Sequence, residues 1–394
     1  MALQDIASIL RKLAYRHDLT AEECREALNT VGRDDYITDT ANSDGLYFVA
    51  LVFGLMAKGP TPDELYGFTL SLCDQSFRFS SQPDPALMID VSGTGGDKIK
   101  TFNVGTAVSF VLAAAGLKVP KQATRGYTGY TGSADVFTEL GLDPFSVPAA
   151  RIPQLLEATG VVGFYTPALT AHFKNRMDFL LKLKNIGLLF PTPWHLVSWV
   201  YSPFQMESRL YGVFDPQYLV PLAGLFKKLG YKRVMVVHGV DGLDEISNVG
   251  PTAVAELKSD GSIETYEITP EQLGIKRAAV SDIQTLSDEE LNILSDANVS
   301  KERKDALIKR GRDGNLAAFF RVLWDLDKGP KRDLVVVNAA AGLYLGRKAG
   351  SLQEGVKLAE SIITSGQAKA KVHEVAEANG KLDNVISWEE RLRT

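Results

Sequence analysis

Three glycines, Gly93, Gly95 and Gly96, fall within four positions of one another, and Asp97 follows at once. A second turn, Asn103 to Thr106, carries Gly105 and opens a long apolar run. Bare backbone between a strand and a helix lets amide N–H groups converge on an anion, and the helix N-terminus adds positive potential. Phosphate or pyrophosphate suits such a turn. The known phosphate motifs fit it poorly. A Walker loop requires a lysine and then serine or threonine after its second spaced glycine, and a dinucleotide fingerprint requires glycine where Lys98 stands. The stretch reads as a phosphate-type turn of another kind or as an ordinary tight turn.

Two further clusters bear on that choice. Val119 to Asp135, "VPKQATRGYTGYTGSAD", supplies Lys121 and Arg125, four small hydroxyls (Thr124, Thr128, Thr131, Ser133) and three glycines. Cations and hydroxyls near a helix start suit a phosphate monoester, although a solvated loop has the same composition. His238 to Ser247, "HGVDGLDEIS", places Asp244 beside Glu245 just after an apolar run. The carboxyl end of a strand is where α/β sheets put ligand chemistry. Paired carboxylates beside a polyphosphate suit Mg²⁺, which keeps water and phosphate oxygens in its shell. Acidic residues at a helix start are the plainer alternative, and His238 alone reads as structural.

The elements that must position these clusters are legible in outline. Residues 3 to 78 read as helices: apolar residues recur at threes and fours in "LQDIASILRKLA", Thr20 and Glu23 form a capping box before "CREAL", and Pro62 opens "PDELYGFTLSLC". From "PALMIDVSG" the pattern changes to short apolar runs, "LMIDV", "LKV", "VVGFYTP" and "KRVMVVHG", separated by helical stretches. Ser133 stands where a helix N-cap is expected. Strands alternating with helices imply a mainly parallel sheet covered on both faces. One hairpin interrupts the pattern around Asp260-Gly261. Residues 171 to 190 are amphipathic and are expected to pack with the N-terminal helices. The expected fold is α/β with a smaller all-helical domain that is discontinuous in sequence. Residues 1–78 plus about 170–192 form the helical domain, and 79–169 plus 193–394 form the α/β domain.

Composition limits the partners. The chain has 394 residues, 45% of them apolar and 23% charged, which is ordinary for a globular protein with room for two domains. A net charge of -5 argues against general nucleic-acid binding, which needs a basic face. Two cysteines, Cys24 and Cys73, suggest no disulfide framework and fit a reducing compartment. The N-terminus lacks the apolar core of a signal peptide, and no apolar run reaches about 18 residues. A cytoplasmic location is expected.

Taken in order, the clusters resemble those of the anthranilate phosphoribosyltransferase family, which carries a GTGGD turn, an N-I-S-T turn, a K-H-G-N-R loop running into S-G-S-A-D, and a D-G-L-D-E carboxylate pair. This chain reads Gly93 to Asp97, Asn103 to Thr106, Lys121 to Arg125, Thr131 to Asp135 and Asp241 to Glu245 at those places. "GPTAVAEL" from Gly250 and "NAAAGLYLGRKAGSLQEG" from Asn338 extend the likeness over nearly the whole chain. The resemblance implies a homodimer and a donor, 5-phosphoribosyl-1-diphosphate with Mg²⁺, held at a domain hinge. An amine attacks the anomeric carbon and pyrophosphate leaves. The resemblance places the donor on Gly93, Gly96, Asp97, Thr101, Asn103, Thr106, Lys121, Arg125, Thr128 and Ser133, and the metal on Asp244 and Glu245. Acceptor contacts fall on Gln122, Thr124, Tyr127 and Leu180. No general base stands out, so no residue is assigned a proton-transfer role, and catalysis is expected from positioning and charge stabilisation.

The departures from that pattern are local. Gly105 replaces the serine of N-I-S-T, a metal contact in the family. Gln122, Ala123 and Thr124 replace histidine, glycine and the acceptor-binding asparagine, and Gly126 to Tyr130 replace A-V-S-S-K. Leu180 stands where the family has the arginine that pairs with the anthranilate carboxylate, and a longer segment with Trp194, His195, Trp199 and Tyr201 follows. A missing arginine removes a bidentate partner; Lys182, Lys184, Arg176 or Arg209 would have to substitute. Three functions follow: a phosphoribosyltransferase for another flat aromatic or heteroaromatic acceptor, stacked on these tyrosines and tryptophans unless they are core; anthranilate phosphoribosyltransferase of tryptophan biosynthesis with a divergent acceptor site; or a non-catalytic nucleotide- or nucleic-acid-binding homologue. A related nucleoside phosphorylase fits less well, because "GTGGD" favours the diphosphate donor.

Overall fold

The computed structural model describes residues 3–31, 44–74, 77–95, 99–124, 131–169, 192–296 and 298–393. The chain divides into two compact units. The helical unit comprises Met1–Ser80, Thr166–Gln205 and Val220–Tyr231, and the α/β unit the remainder.

In the helical unit, α1 (Leu3–Ala14) buries Ile6, Ile9 and Leu13, the spacing of one helix face. Helix α2 (Ala21–Val31) starts at the expected capping box, with Glu23 N–H donating to Thr20 Oγ1 and Thr20 N–H to Glu23 Oε2. Helix α3 (Asp44–Lys58) buries Phe48, Leu51, Val52 and Leu55, again at threes and fours. Helix α4 (Pro62–Cys73) is capped by Thr61 and Glu64. It meets α2 at Gly67, where a Cβ would stand 2.1 Å from Ala21 O. The helices Pro193–Val197 and Leu219–Lys228 supply further parts of this unit, with Trp194 facing Phe68 at 6.2 Å between ring centroids.

The α/β unit is built on a five-stranded sheet of order β1-β4-β5-β6-β7. Strands β1 (Ile89–Gly93), β4 (Ser208–Gly212) and β5 (Arg233–Gly239) run parallel, while β6 (Thr252–Leu257) and β7 (Ile263–Ile268) continue antiparallel as the expected hairpin. Gly261 turns that hairpin at φ +85°, a conformation that favours glycine. A separate parallel pair, β2 (Val119–Gln122) and β3 (Val161–Phe164), touches the start of β1 through the Met88–Lys118 bridge. Helices α5 (Val104–Ala114), α6 (Ser133–Glu139) and α7 (Arg151–Thr159) follow the early strands. The long α8 (Lys301–Leu323) and then α9 (Pro330–Leu345), α10 (Leu352–Thr364), α11 (Gln367–Ala378) and α12 (Leu382–Arg393) complete the unit. Among the described residues no helix is long and apolar enough to cross a membrane.

Three differences from the sequence reading have physical causes. Strand β4, central in the parallel part of the sheet, escaped it because "SRLYG" opens on serine and a charged residue and ends on glycine; burial of all five residues is a tertiary fact. The N-cap of α6 is Gly132, and Ser133 is its first helical residue. Residues 193–205 and 220–231 join the helical unit, whereas the sequence placed everything from 193 onward with the sheet. The amphipathic stretch 171–190 lies outside the described residues.

Candidate active site

The three neighbouring parallel strands each end in glycine: Gly93 of β1, Gly212 of β4 and Gly239 of β5. In the absence of their Cβ atoms, the loop carrying the carboxylates settles onto the strand ends. A Cβ on Gly93 would lie 2.1 Å from Asp244 Oδ2, one on Gly212 1.5 Å from Asp244 O, and one on Gly239 2.5 Å from Asp241 Oδ1. At Gly212 the obstacle is backbone, so no side chain fits; at Gly93 and Gly239 a carboxylate would have to move.

The same loop then grips the glycine turn. Gly95, at φ +66°, donates its N–H to Asp244 Oδ2 at 2.8 Å. Thr94 N–H donates to Gly212 O at 2.9 Å, and Thr94 Oγ1 accepts from Phe214 N–H at 3.0 Å. The first and third sequence clusters are thus in direct contact. Beneath the carboxylates, Asn338 of α9 reads the backbone of Ile246 from both sides: Oδ1 accepts from Ile246 N–H and Nδ2 donates to Ile246 O, each at 2.9 Å. Asn338 was legible only as part of a motif. An asparagine inside "LVVVNAAAGLYL" is itself a signal, because a polar group buried in an apolar helix needs partners.

Lys121 lies on β2, buried, and donates from Nζ to Val91 O at 2.6 Å. Burial pushes its ammonium below the usual lysine range; Asp90, Glu245 and Asp244 pull it back, while Arg209 pushes it further down. Its charge is therefore close to the carboxylate pair and to the strand β1 that leads into the glycine turn. At Gly105 a Cβ would sit 3.5 Å from Val91 O and 3.7 Å from Lys121 Nζ, ordinary contact distances, so the position has room for a small side chain.

The second cluster reaches the same region through α5 and α6. Asn103 Nδ2 donates to Gly132 O at 3.0 Å. Ser133 Oγ accepts from Thr124 N–H at 3.2 Å, and Thr124 O accepts from Ala134 N–H at 3.1 Å. Thr101 Oγ1 donates to Phe102 O at 3.1 Å, and Thr106 is buried in the first turn of α5. Gln122 is buried at the end of β2. Gly96, Asp97, Arg125, Tyr127, Thr128 and Leu180 lie outside the described residues.

Two expectations for the acceptor change. Arg209 was a possible partner for a substrate carboxylate. It is fully buried on β4, paired across the strands with Asp90, whose Oδ2 it meets at 2.5 Å, and bonded to Ser92 Oγ at 3.1 Å. A guanidinium in that setting has a fixed internal partner. Trp194 and Tyr201 are core residues of the helical unit, 2% and 3% exposed, and Tyr201 OH donates to Phe77 O at 2.5 Å. For these two rings packing is the role the structure supports, and acceptor stacking is not. His195 accepts from Thr192 N–H at 3.0 Å through Nδ1, and burial lowers its pKa.

The model of the glycosyl transferase family, a/b domain, matches residues 86–369. The anthranilate phosphoribosyltransferase of Thermoanaerobacter sp. (strain X514) is 32% identical over 374 residues, covering 95% of this chain and 98% of its own. The chain belongs to the anthranilate phosphoribosyltransferase family. It is accordingly a glycosyltransferase of the pentosyltransferase class, and a phosphoribosyltransferase. The crystal structure of anthranilate phosphoribosyltransferase from Thermus thermophilus superposes with a TM-score of 0.77 at 26% identity, covering 94% of this chain and 98% of that one. The Saccharomyces cerevisiae enzyme in complex with PRPP and Mg shares the fold, with a TM-score of 0.76 at 21% identity over 96% and 99% of the two chains.

Proposed function

We propose that the protein transfers the phosphoribosyl group of 5-phosphoribosyl-1-diphosphate to an aromatic acceptor, with Mg²⁺ and release of pyrophosphate. The observation that carries this reading is the 2.8 Å contact between Gly95 N–H and Asp244. It joins the anion-type turn to the carboxylate pair, and buried Lys121 is held on Val91 O of β1, the strand that leads into the turn.

The residues fit Mg²⁺. Asp244 is already anchored by a backbone amide. Among the described residues no group of three or more His, Cys, Asp or Glu is gathered to hold a metal alone. Two adjacent carboxylates suit an ion that keeps water and completes its shell with substrate phosphate. Asp244 and Glu245 would hold it, and when bound it would neutralise charge growing on the leaving pyrophosphate. Lys121, held by Val91 O, is a further donor on this side of the sheet. The turns at Gly93–Gly95 and Asn103–Thr106 orient the donor, so positioning and preorganised electrostatics replace acid–base chemistry.

For the acceptor, we infer an aromatic or heteroaromatic compound other than anthranilate. Gln122 and Thr124 stand where the family pattern has histidine and asparagine, Leu180 stands where it has arginine, and Arg209 is committed to Asp90. Burying a carboxylate without a partner costs at least about 1–3 kcal/mol, or roughly tenfold to a hundredfold in rate. Anthranilate itself is the second reading, favoured by 32% identity to an anthranilate enzyme over 95% of the chain. Calorimetric titration with the diphosphate donor and Mg²⁺, followed by steady-state kinetics on anthranilate and a panel of aromatic amines and bases, decides both points. Absence of donor binding removes the phosphoribosyl reading. Anthranilate turnover at about 10⁴ M⁻¹s⁻¹ or better replaces the first acceptor with the second. A homodimer is part of the same proposal, supported by exposed Leu46 and Phe53 seven residues apart on α3 and by exposed Tyr15. Its mass in solution tests it.

A further inference from the structure

The turn that opens α5 and the turn that opens α6 are tied to each other through a third element, α8. Asn315 of α8 accepts from Asn103 N–H through Oδ1 at 2.7 Å and donates from Nδ2 to Thr131 Oγ1 at 3.1 Å. A backbone N–H can only donate, so the amide oxygen must face Asn103 and the amide nitrogen must face Thr131. Thr131 Oγ1 donates to Asp135 Oδ2 at 3.0 Å, and that carboxylate oxygen also accepts from Gly132 N–H at 2.9 Å. Asn103 Nδ2 closes the ring on Gly132 O at 3.0 Å. Arg312, three residues before Asn315, pairs with the other oxygen of Asp135 at 3.0 Å.

Asn315 has no exposure to solvent. A buried amide is costly unless bonded, and here both ends are spent on turns that carry proposed donor contacts. The helix that holds it is anchored. One turn on, Phe319 meets Phe110 of α5 edge-on at 5.4 Å, and the half of α8 from Asn315 to Leu323 is mostly buried. The amide is therefore fixed to the same helix, α5, whose entrance it holds. No role for Asn315 is legible in the sequence, because it stands at the junction of a charged half-helix with an apolar one and looks like a boundary residue.

We propose that Asn315 is a positioning residue for the donor site. Acting through Asn103 and Thr131, it sets the spacing of the α5 and α6 entrances, so that their polar groups meet the donor without rearranging. This rests on the phosphoribosyl reading above. Fixing a loop before binding removes the ordering cost from the affinity, and small displacements of positioning groups far from the reacting atoms carry large rate penalties.

The test is a double-mutant cycle on the full chain, reading the calorimetric Kd for the donor with Mg²⁺ and the unfolding midpoint of each variant. Asn315→Ala and Thr131→Val are each expected to weaken donor binding about tenfold. The double variant should be no weaker than the poorer single one, because both cut the same tether. Val322→Ala, a core truncation on the same helix, should lower the midpoint and leave Kd unchanged. If Asn315→Ala fails to fold, Asn315→Asp, which keeps the acceptor for Asn103 N–H, replaces it in the cycle. A midpoint loss with Kd within twofold of the wild type would show that the tether serves stability alone, and a fully additive cycle would remove Thr131 from the route. Either result overturns the proposal while leaving the donor reading in place. Failure of the wild type to bind the donor overturns both.

Discussion

The helical unit and the α/β unit bury polar groups for different ends. In the helical unit Glu64 and His195 close helix ends, and Glu64 also reaches back 45 residues to Leu19. Glu64, 1% exposed, accepts from Thr61 N–H at 2.8 Å and Leu19 N–H at 2.9 Å and pairs with Lys58 at 2.9 Å, and His195 caps Thr192. In the α/β unit they hold loops across long stretches of chain. Gly95 and Asp244 are 149 residues apart, Asn103 and Asn315 212, and Ile246 and Asn338 92. A cap stabilises a helix that its own sequence already favours. A tether fixes a loop at a spacing that nothing local prefers. The difference suits the proposed site in the α/β unit, since reactive groups must be held where binding needs them rather than where the backbone would relax.

Three perturbations probe that contrast. The largest effect is expected from Asp244→Ala with Glu245→Ala. Donor turnover should fall by on the order of a thousandfold or more, while circular dichroism and the unfolding midpoint show a folded protein. Full activity in that variant removes the carboxylates from the mechanism and leaves the tether to Gly95 without a functional meaning.

Glu64→Leu in the helical unit should do the reverse. It removes one partner of Lys58, which keeps Asp18 Oδ1 at 2.7 Å and Gly59 O at 3.0 Å, and it leaves the N–H groups of Thr61 and Leu19 without their acceptor. Leaving a donor without its acceptor costs about 1–3 kcal/mol, readable by chemical denaturation. Donor affinity measured on the folded fraction should stay within twofold. A matching loss of affinity would break the comparison, because a cap would then be acting as a tether.

The smallest effect concerns α12, held by Glu389, whose Oε1 accepts from Trp324 Nε1 at 2.8 Å, Lys369 Nζ at 2.8 Å and His373 Nε2 at 3.0 Å. Burial pushes that carboxyl up, but these donors together hold it down at about 2, below its ordinary 4.5. A depressed carboxyl pKa contributes stability that is complete above the unfolded value and is lost as pH falls through the folded one. Glu389→Gln should therefore cost about 1–2 kcal/mol at neutral pH. The gap to wild type should close as pH falls from about 4.5 toward 2. A gap that stays constant over that window would mean that the charge of Glu389 contributes nothing.

Much of the fold was legible because the signals are local. The capping box at Thr20, the proline that opens α4, the face of α1 and the Asp260-Gly261 hairpin each need only a few adjacent residues. Strand β4 and the role of Arg209 were not legible. Their meaning comes from neighbours, β1 and β5 on either side and Asp90 across the pairing. The carboxylate pair was visible as adjacent acids. The space that admits it was not: Gly93, Gly212 and Gly239 read as unrelated glycines until three strand ends lie side by side.

The sequence by itself pointed to the class of chemistry, because its anion-type turns and paired carboxylates, taken in order, resemble those of a known family. It also determined most helices, whose period is written in a dozen residues. Only the tertiary structure decided which polar groups are spent on the protein itself. Arg209, Trp194 and Tyr201 offered themselves as acceptor contacts and are internal, while Asn315 and Asn338 carried no assigned role and hold the site together. Burial and partnership depend on what folding brings close, and residues 92 to 212 positions apart carry no record of that meeting in their local sequence.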